Sequence, residues 1–530
     1  MDLDGTVLFL LVTILNLHHN SECANILAIF PLADRSDNYL YQRLLKGLAD
    51  QGHLITSISA HEFDLGLRNG SVRDVILSGF ADKSDRQLKE LNYEALQTEG
   101  QFHYQDYYLK NILEIYNKTL WHGNVRKFII NNKKKFDVII IDYYWSDSLL
   151  VFSKIFKCPV IAFSNYGLID PYTNSIAGNP LPPSYVRHPF LNIVNSYSTL
   201  SFLERTYNFI NYLSGSIFNS IYLIPRHNEL IRTAYKKRFK NNPPDVTTLQ
   251  AKISLVLLNS HPSIRQATPL VPNAMEIAGF HIDPPEQLPE DLQDFLDGAK
   301  SGAVYFSLGL NVRTRNIPDW KKQVFMNVFK KLNLRVLWKY DGEKLIDSSP
   351  KVMLRRWVPQ RDVLGHPNIK LFINNGGYNS LLEIAHFGVP SLMIPIFPEN
   401  HKNALQAQDN GYALTLPYNS KNFSEEVLYA LAKELLENPR YREAARTQSQ
   451  LFRDRPIEPL REAIYWIEYV IRTNGAIHLR VLGSTLPFYK FYMLDVILCL
   501  ISTFTVSLMS VYVCAKRLCR RKIELKIKQN

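Results

Sequence analysis

The sequence predicts an α/β protein with two facing, doubly wound, Rossmann-like domains and a C-terminal transmembrane helix. Apolar strand patterns alternate with helical patterns in two series, separated by a proline-rich, acidic break at 283–292. A chain of 530 residues is also too long for a single core, so two domains are expected. Finally, the 20 uncharged residues at 496–515 match the length that a helix needs to cross a bilayer.

The first series begins with "NILAIF" at 25–30, a helical stretch and "LITSIS" at 54–59, which together predict a βαβ unit. "FDVIIID" at 136–142 and "PVIAFS" at 159–164 repeat this pattern. Nearly continuous runs of Val and Ile are typical of parallel strands that are covered on both faces. Residues 171–250 are first rich in proline and then aromatic, and we interpret them as an insertion that shapes a cleft.

The second series follows the break, with predicted strands in "AVYFSLG", "RVLWKY", "VMLRRW", "KLFIN" and "PSLMIPI". Ligands of open α/β sheets bind beyond the carboxyl ends of the strands. The loops after Phe306, Arg356, Ile373 and Ile396 are therefore expected to meet in one crevice. The loop after the first strand of the chain, "FPLADRSDNY", contains no glycine, which argues against a nicotinamide or flavin site there.

Both ends of the chain carry targeting patterns. Residues 1–23 combine a short apolar core with small residues suited to cleavage, so a signal peptide is predicted despite two acids near its start. "KRLCRRK" directly follows the apolar run, and clustered Lys and Arg mark the cytoplasmic side. We therefore expect a single-pass type I protein, with 24–495 in a secretory lumen and 516–530 as a basic cytoplasmic tail. Lysines third and fifth from the end resemble the signal that returns membrane proteins to the endoplasmic reticulum.

The luminal location is consistent with a glycoprotein, since N-x-S/T sequons begin at Asn69, Asn117 and Asn422. Cys158 is the one cysteine well inside the luminal part, so no disulfide within a domain is expected. The formal charge of +12 does not indicate nucleic-acid binding. The cytoplasmic tail holds half of the excess, and the remaining charge forms no basic stripe.

The stretch "INNGGYNSLLE" at 373–383 has the pattern of a phosphate-binding turn: a β-branched strand end, two glycines and the start of a helix. The glycines would let the backbone approach an anionic group, and Asn379 or Ser380 would cap the helix. The start of this helix is thus a candidate diphosphate site. Alternatively, Ser380 and Glu383 form an S-x-x-E capping box that only stabilises the helix.

Two further loops at neighbouring strand ends favour the binding-site interpretation. "RRWVPQRDVLGHP" at 355–367 offers a Trp that can stack on a base and a Gln that can bond a ribose or a base edge. "PIFPENHKNALQAQDNG" at 395–411 offers a Glu-Asn pair that can meet sugar hydroxyls. Each residue has an ordinary alternative, namely a core aromatic, a turn residue or a helix cap. Three such loops at adjacent strand ends favour a ligand site.

The block "WVPQRDVLGHP", followed by "FINNGGYNSLLEIAHFGVPSLMIPIFPENHKNA", resembles the signature of the UDP-glycosyltransferases, specifically their membrane-anchored animal branch. "GNPLPPSYV", "NSHPSI", "YFSLG", "YWIEYVIRTNGAIHLR" and the terminal span match in order, so the resemblance covers essentially the whole chain. It implies the GT-B architecture, with an acceptor-binding domain at 24–282, a UDP-sugar-binding domain at 283–475 and a juxtamembrane segment at 476–495. It implies no metal ion and no cofactor besides the UDP-sugar co-substrate.

The resemblance assigns the donor site to side chains and backbone of the second domain. Uracil is expected to stack on an aromatic ring, the nucleoside to bond an amide and an acid, and the diphosphate to lie at a helix start. The residues concerned are Trp357 for uracil, Gln360 and Glu383 for the nucleoside, and Gly377, Asn379 and Ser380 for the diphosphate.

Four donor-site positions depart from the family pattern. Glu399 and Asn400 stand where the family has Asp and Gln contacting the sugar hydroxyls, which can change which sugar fits. Asn375 replaces a histidine that faces the phosphates, and Leu310 replaces a serine that often donates there. The diphosphate is thus expected to lose one potential cation and one hydroxyl.

The largest departure concerns the catalytic base. The family places a catalytic histidine sixteen residues before the histidine that closes the first helix, here His53, and this position holds Asp37. Asp142 matches the acid that orients the missing histidine. An aspartate is a weaker base than histidine by about 2.6 pKa units. Because repulsion between two carboxylates raises one pKa, we hypothesise that Asp37 and Asp142 share a proton and do the work of one imidazole.

The sequence leaves three functions open. In the first, the chain is a hexosyltransferase of the detoxifying type, with UDP-glucose favoured, that acts with inversion on a hydroxyl of a small lipophilic acceptor. In the second, it is a catalytically impaired nucleotide-binding protein on the same scaffold. The third, a membrane-anchored adhesion or structural protein, leaves the Trp, Gln and Glu at nucleotide positions unexplained. The acceptor, the choice between UDP-glucose and UDP-glucuronate, and a homo- or hetero-oligomeric state stay open.

Overall fold

The computed structural model describes residues 23–63, 72–90, 93, 100–165, 176–188, 199–342 and 349–529. These residues form two α/β units, each built on its own parallel sheet, and a long helix at the C-terminal end. The predicted signal peptide, apart from its last residue, and the sequon at Asn69 lie outside the described residues.

The sheet of the first unit contains seven parallel strands. They are β1 Asn25–Phe30, β2 Leu54–Ser59, β3 Val72–Ile76, β4 Val138–Asp142, β5 Val160–Ser164, β6 Ile253–Leu258 and β7 Ala274–Glu276. Their order is β3-β2-β1-β4-β5-β6-β7, so the direction of winding reverses between β1 and β4. Ligands of doubly wound sheets bind at such a reversal, which places the expected site at the carboxyl ends of β1 and β4.

Helices cover both faces of this sheet. They are α1 Arg35–Asp50, α2 Phe80–Glu90, α3 Gly100–Trp121, α4 Gly123–Asn131, α5 Val151–Phe156, α6 Phe202–Phe218, α7 Ile224–Tyr235 and α8 Val246–Gln250. Alternate residues of β1 enter two different cores, with Leu27 and Ile29 on one face and Ile26 and Ala28 on the other. Burial on both faces explains why the strand is almost continuously apolar.

Helix α1 is the element that carries the first candidate site residue. Its N-cap is Asp34, whose side chain accepts a hydrogen bond from the Ser36 amide at 2.7 Å. Leu40, Leu44 and Leu48 recur every fourth residue and are buried against the sheet. The buried apolar stripe fixes the roll of the helix, and the cap fixes its start at the carboxyl end of β1.

The sheet of the second unit has six parallel strands. They are β8 Ala303–Ser307, β9 Arg335–Lys339, β10 Val352–Arg355, β11 Ile369–Asn374, β12 Ser391–Met393 and β13 Ala413–Thr415, in the order β10-β9-β8-β11-β12-β13. The five predicted strands of this series are confirmed, whereas β13 was not predicted. Around the sheet lie α9 Glu290–Asp297, α10 Asp319–Leu332, α11 Gln360–Leu364, α12 Tyr378–Phe387, α13 Pro398–Asp409, α14 Glu425–Glu437 and α15 Pro439–Arg453.

The next helix, α16 Pro459–Arg472, returns to the first unit. Leu460 and Ile467 are buried in the same core as the first sheet, and a Cβ at Gly47 of α1 would lie 3.1 Å from Leu460. The predicted second domain of 283–475 therefore includes one helix whose packing partner is the first sheet. An apolar stripe shows that a helix is half-buried, but it does not show which sheet buries it.

The chain ends in two further helices, α17 Phe488–Phe491 and α18 Leu494–Gln529. Within α18, residues Leu494–Arg520 have a mean hydropathy of 2.2 over their most apolar stretch, and none of that stretch is buried. By length and composition this helix can cross a membrane, and it contains the predicted span at 496–515.

Candidate functional site

Side chains from both units meet between the carboxyl ends of the two sheets. Asn311, in the loop after β8, donates from Nδ2 to Asp34 Oδ2 at 2.6 Å. Asn379, in the first turn of α12, donates from Nδ2 to the Ser36 carbonyl oxygen at 3.4 Å. The start of α1 thus contacts the loops that follow the central strands of the second sheet, and the candidate site lies where they meet.

The turn after β11 depends on Gly376. Its φ of +74° is in the left-handed region that favours glycine, and a Cβ there would lie 2.9 Å from the Asn400 carbonyl oxygen. The turn is held by Asn374 Oδ1, which accepts from the Gly376 amide at 2.8 Å, and by Asn403 Nδ2, which donates to the Gly376 carbonyl at 2.9 Å. The absent side chain lets the start of α13 approach the turn.

Helix α12 begins without a side-chain cap. The expectation that Asn379 or Ser380 caps it is wrong, because Gly377 occupies the N-cap position and both residues lie inside the first turn. Asn375 is buried, and its Oδ1 accepts from the Gly377 amide at 3.0 Å. No N-cap side chain therefore accepts a hydrogen bond from the amides of the first turn. The start of this ten-residue helix is suited to binding an anion.

Glu383 bonds a neighbouring helix and does not cap its own. Gln360, at the start of α11, donates from Nε2 to Ser380 Oγ at 3.0 Å and to the Glu383 carboxylate. The alternative of a capping box is wrong, because Ser380 is not the N-cap. Burial raises the pKa of Glu383 to about 7. The two residues that the resemblance assigns to the nucleoside are thus joined to each other.

Trp357 is 68% exposed at the rim beside these residues. It follows the end of β10, three positions before Gln360, so the alternative of a core aromatic is wrong. A large ring exposed at a cleft is available for stacking. On the far side of the glycine turn, Glu399 and Asn400 begin α13, with Asn400 buried and Glu399 exposed.

Asp37 and Asp142 lie at the carboxyl ends of β1 and β4, where the winding of the first sheet reverses. Asp37 is 7% exposed in the first turn of α1, and Asn165 Nδ2 donates to its Oδ1. Burial raises the pKa of Asp37 well above its usual 3.8, followed by repulsion from Asp34 and then from Asp142. Burial also raises the pKa of Asp142 to about 7, partly offset by a hydrogen bond from Tyr41.

Repulsion from Asp142, which we expected to raise the pKa of Asp37, is therefore only the third largest cause. Repulsion from Asp142 contributes less to the pKa of Asp37 than burial and Asp34 do. Asp37 and Asp142 are close enough to repel each other, but the main physical reason for the raised pKa of Asp37 is loss of water around its carboxylate.

Sequence reasoning missed two asparagines behind Asp37. Asn165 follows β5 directly and Asn259 follows β6, and Asn259 Nδ2 donates to Asn165 Oδ1 at 2.8 Å. Tyr378, the first residue of α12, donates its hydroxyl to the Asn259 carbonyl at 2.7 Å. A continuous series of contacts thus connects Asp37 with the helix start of the second unit. The signal was a polar residue placed immediately after each of two buried strands.

Lys339 was also missed. It ends β9, is buried, and donates from Nζ to the Gly309 carbonyl at 2.7 Å. A Cβ at Gly309 would lie 3.4 Å from Asn375 Nδ2, so this amine is next to the two loops that carry Leu310 and Asn375. Burial lowers the pKa of Lys339. A cation is therefore present beside the loops where the sequence indicated the loss of one.

Replacing Asp142 with asparagine is expected to stabilise the protein more at pH 8 than at pH 5. A carboxyl whose pKa is raised from 3.8 to about 7 contributes stability at low pH, and this contribution is lost as pH rises through about 7. Asparagine does not titrate, so the variant escapes that loss, which amounts to about 1.4 kcal/mol per pKa unit. Calorimetric Tm values of both proteins at the two pH values measure the effect. A difference in Tm that does not change with pH would contradict it.

Known proteins are similar to this chain over most of its length. The family model described as UDP-glucoronosyl and UDP-glucosyl transferase matches residues 34–529. The chain is 34% identical over 498 residues to UDP-glucosyltransferase 2 of Dactylopius coccus, covering 91% of each chain. It is 32% identical over 495 residues to UDP-glycosyltransferase UGT5 of the same organism, covering 92% of this chain and 91% of the relative. UDP-glucuronosyltransferase 2B15 of Rattus norvegicus is 32% identical over 386 residues, covering 72% of this chain and 70% of the relative.

Solved glycosyltransferase structures share the fold. CalG4, the calicheamicin glycosyltransferase, has a TM-score of 0.57 at 14% identity, covering 85% of this chain and 99% of its own. Glycosyltransferase VinC, solved in complex with DTDP, has a TM-score of 0.55 at 15% identity, covering 85% of this chain and 100% of its own. The family match over nearly the whole chain and the two facing α/β units lead to one conclusion: this chain belongs to the UDP-glycosyltransferase family and has the GT-B fold.

Proposed function

We propose that the protein transfers a hexose from a UDP-hexose, with UDP-glucose favoured, to a hydroxyl group of a small lipophilic acceptor, with inversion at the anomeric carbon. The observation that carries the proposal is that the start of α1, with Asp37, contacts the start of α12, with its uncapped turn. A base from one unit and a diphosphate site from the other therefore border the same space. Similarity to a UDP-glucosyltransferase at 34% identity supports glucose as the sugar.

The donor occupies the second unit in this proposal. Uracil stacks on Trp357, and Gln360 and Glu383 bond the nucleoside. The diphosphate lies at the start of α12, against the Gly377 backbone, Asn379 and Ser380. A helix start carries a partial positive charge, which stabilises the negative charge that builds up on the leaving UDP. Glu399 and Asn400, together with Asn375, border the sugar and the phosphate nearest to it.

In the transfer step, Asp37 accepts the proton of the acceptor hydroxyl. The acceptor oxygen then forms a bond to the anomeric carbon from the side opposite UDP, and the electrons of the broken bond remain on the diphosphate oxygen. A base works best when its pKa is near the working pH. Burial, which raises the pKa of Asp37, supports this residue in the role that histidine has in the family. The neighbouring carboxyl of Asp142 helps to keep this proton shared between Asp37 and Asp142.

We further propose that the protein is a glycoprotein anchored in the endoplasmic reticulum membrane by α18, with both units in the lumen, and that it acts in detoxification. Support comes from the apolar helix, the basic residues that follow it and the terminal lysine pattern. The sequon residue Asn422 is exposed, which suits glycosylation in the lumen. Digestion of sealed microsomes with a protease and with endoglycosidase tests the orientation.

Two measurements test the function in order. Isothermal titration with UDP is expected to show one site, and absent binding would remove every nucleotide-based function. Turnover with UDP-glucose and UDP-glucuronate, against a panel of phenols, steroids and lipids, then identifies donor and acceptor. UDP binding without turnover of any pair would favour the catalytically impaired protein.

Replacing Trp357 with alanine is expected to weaken UDP binding by roughly 5- to 150-fold, because stacking of a base on an aromatic ring contributes about 1–3 kcal/mol. The ring is exposed, so the Tm should not change. Trp357→Phe keeps a stacking surface and should recover much of the affinity. Trp320 is a matched control, since it is also exposed but belongs to α10. Equal UDP affinity in Trp357→Ala and Trp320→Ala would contradict the assignment.

A further inference from the structure

Two cationic side chains from different units lie close together beside the glycine turn. Arg265 lies in the loop after β6 of the first unit, and Lys402 lies in α13 of the second unit. Arg265 Nη2 is 3.5 Å from Oδ1 of Asn403, the residue next to Lys402. Asn403 also holds the glycine turn, since its Nδ2 donates to the Gly376 carbonyl oxygen. The two cations therefore border the cleft between the turn and the first unit.

Arg265 is held in place by Tyr378, the first residue of α12. The guanidinium carbon of Arg265 lies 4.4 Å from the centroid of the Tyr378 ring. A guanidinium that stacks on an aromatic ring keeps its N–H groups free to bond in its own plane. Tyr378 is buried and donates its hydroxyl to the Asn259 carbonyl oxygen, in the series of contacts that leads to Asp37. Arg265 is thus positioned by the residue that connects the base with the helix start.

The charge of Arg265 is not compensated by an acid. Among the residues that the structure describes, no carboxylate oxygen lies within 4.0 Å of its guanidinium nitrogens, and its buried Nε bonds none of them. Its polar neighbours, the Asn403 amide and the Tyr378 hydroxyl, are both neutral. A partly buried cation without an opposite charge costs free energy, and a guanidinium can bind a carboxylate through two parallel hydrogen bonds. Arg265 is therefore suited to bind a carboxylate.

Lys402 adds a second positive charge to the same space. It is half-buried and follows Glu399 by three positions, so both side chains lie on one face of α13. Burial lowers the pKa of Lys402 to about 8, and repulsion from Arg265 contributes to this, whereas Glu399 opposes it. The charge of Lys402 also reaches His188 of the first unit, whose pKa is lowered by burial and then by Lys402. A bound carboxylate would relieve the repulsion between Arg265 and Lys402.

We propose that Arg265 and Lys402 form a subsite for a carboxylate group of one of the two substrates. The inference rests on the proposed function, because the transfer reaction places both substrates between the glycine turn and Asp37. With UDP-glucose as the donor, which has no carboxylate, the acceptor carries this group. The acceptor class then narrows to lipophilic hydroxy acids. With UDP-glucuronate as the donor, the carboxylate of the sugar occupies the subsite.

Isothermal titration of the full chain with two matched pairs of compounds tests the subsite and identifies the substrate that carries the carboxylate. The donor pair is UDP-glucuronate and UDP-glucose. The acceptor pair is para-hydroxybenzoate and its neutral amide, titrated into the UDP-saturated protein. We expect the acid of one pair to bind more tightly than its neutral counterpart, and Arg265→Gln to weaken binding of that acid by about 10- to 150-fold. Lys402→Gln, on the other unit, should weaken it too.

The matched control is Arg455→Gln, because Arg455 also lies near Tyr378 but faces Glu276 and Glu462. This variant should keep the preference for the acid. A parent protein that prefers the acid of neither pair overturns the proposal, even if the variants fail to fold. An equal loss of affinity for UDP itself in Arg265→Gln also contradicts it, because the cation would then hold the diphosphate. If the parent does not bind UDP, the proposed function fails, and the acceptor pair titrated into the free protein still decides on the subsite.

Discussion

Asp37→Asn should lower kcat by about 10²–10⁴-fold, the range that a positioned general base contributes, while UDP still binds with unchanged affinity. The amide has the same shape as the carboxyl group but cannot accept the acceptor proton. The side-chain oxygen of the new asparagine can still accept the hydrogen bond from Asn165 Nδ2, so the fold should be retained. Single-turnover transfer from UDP-glucose and titration with UDP measure the two effects separately. Unchanged turnover would mean that the base lies elsewhere.

The neighbours of Asp37 provide controls with opposite signs. The hydrogen bond from Asn165 lowers the pKa of Asp37, so Asn165→Ala should raise it and move the acid limb of the kcat profile to higher pH. Repulsion from Asp34 raises that pKa, so Asp34→Asn should move the limb to lower pH. Asparagine is also a good N-cap, so α1 should keep its start. Shifts of the same sign in both variants would show that Asp37 does not control the profile.

The alternative bases are engaged in structural contacts. His53 is buried, with Nδ1 accepting from the Ala24 amide at 3.3 Å and Nε2 3.3 Å from Glu468 Oε1. It lies beyond the far end of α1, where it links α16 to the first sheet. His61 Nε2 lies 3.1 Å from the Ala33 carbonyl oxygen. Both histidines therefore have partners that fix the chain, and neither is expected to replace Asp37 in the variant.

The strands that sequence patterns predicted well are those buried on both faces. β1 and β2 coincide with the predicted runs at 25–30 and 54–59, because continuous burial requires continuous apolar residues. β3, β6, β7 and β13 were not predicted. β7 and β13 have only three residues each, whereas the equally short β12 lies within the longer apolar run at 390–396. Helix α16 was expected within the second domain, because its apolar stripe indicates burial but not the partner.

Features of the candidate site could be predicted from the sequence where a residue type has a single structural role. The glycine turn and an aromatic ring at Trp357 follow from the loops at the strand ends, whereas the hydrogen bond between Gln360 and Glu383 was not predicted. The helix cap was predicted wrongly, because "YNSLLE" offers two N-cap candidates, Asn379 and Ser380, and only the backbone decides that Gly377 is the N-cap. Burial and repulsion from Asp34 are the two largest causes of the raised pKa of Asp37. A sequence shows neither how deeply a side chain is buried nor how far it lies from a charge.

Gly376→Ala should remove most donor binding and lower kcat/KM by about 10²-fold, the effect of displacing a site by about 1 Å. Alanine at a φ of +74° is strained by about 1–2 kcal/mol, and its Cβ would meet the Asn400 carbonyl oxygen at 2.9 Å. The start of α13, with Glu399 and Asn400, must then move away from the start of α12. Titration with UDP-glucose and steady-state kinetics measure the loss.

Gly388→Ala separates this local effect from general destabilisation. Gly388 ends the same helix, has a φ of +68°, and a Cβ there would lie 3.1 Å from the Ala445 carbonyl oxygen. Strain and contact are therefore similar at both ends of α12, and both variants should lose a comparable few degrees of Tm. Only the change at Gly376 displaces the residues that border the diphosphate and the sugar. If kcat/KM fell equally in both variants, stability and not the glycine turn would explain the loss, and the helix start would no longer be the place where the diphosphate binds.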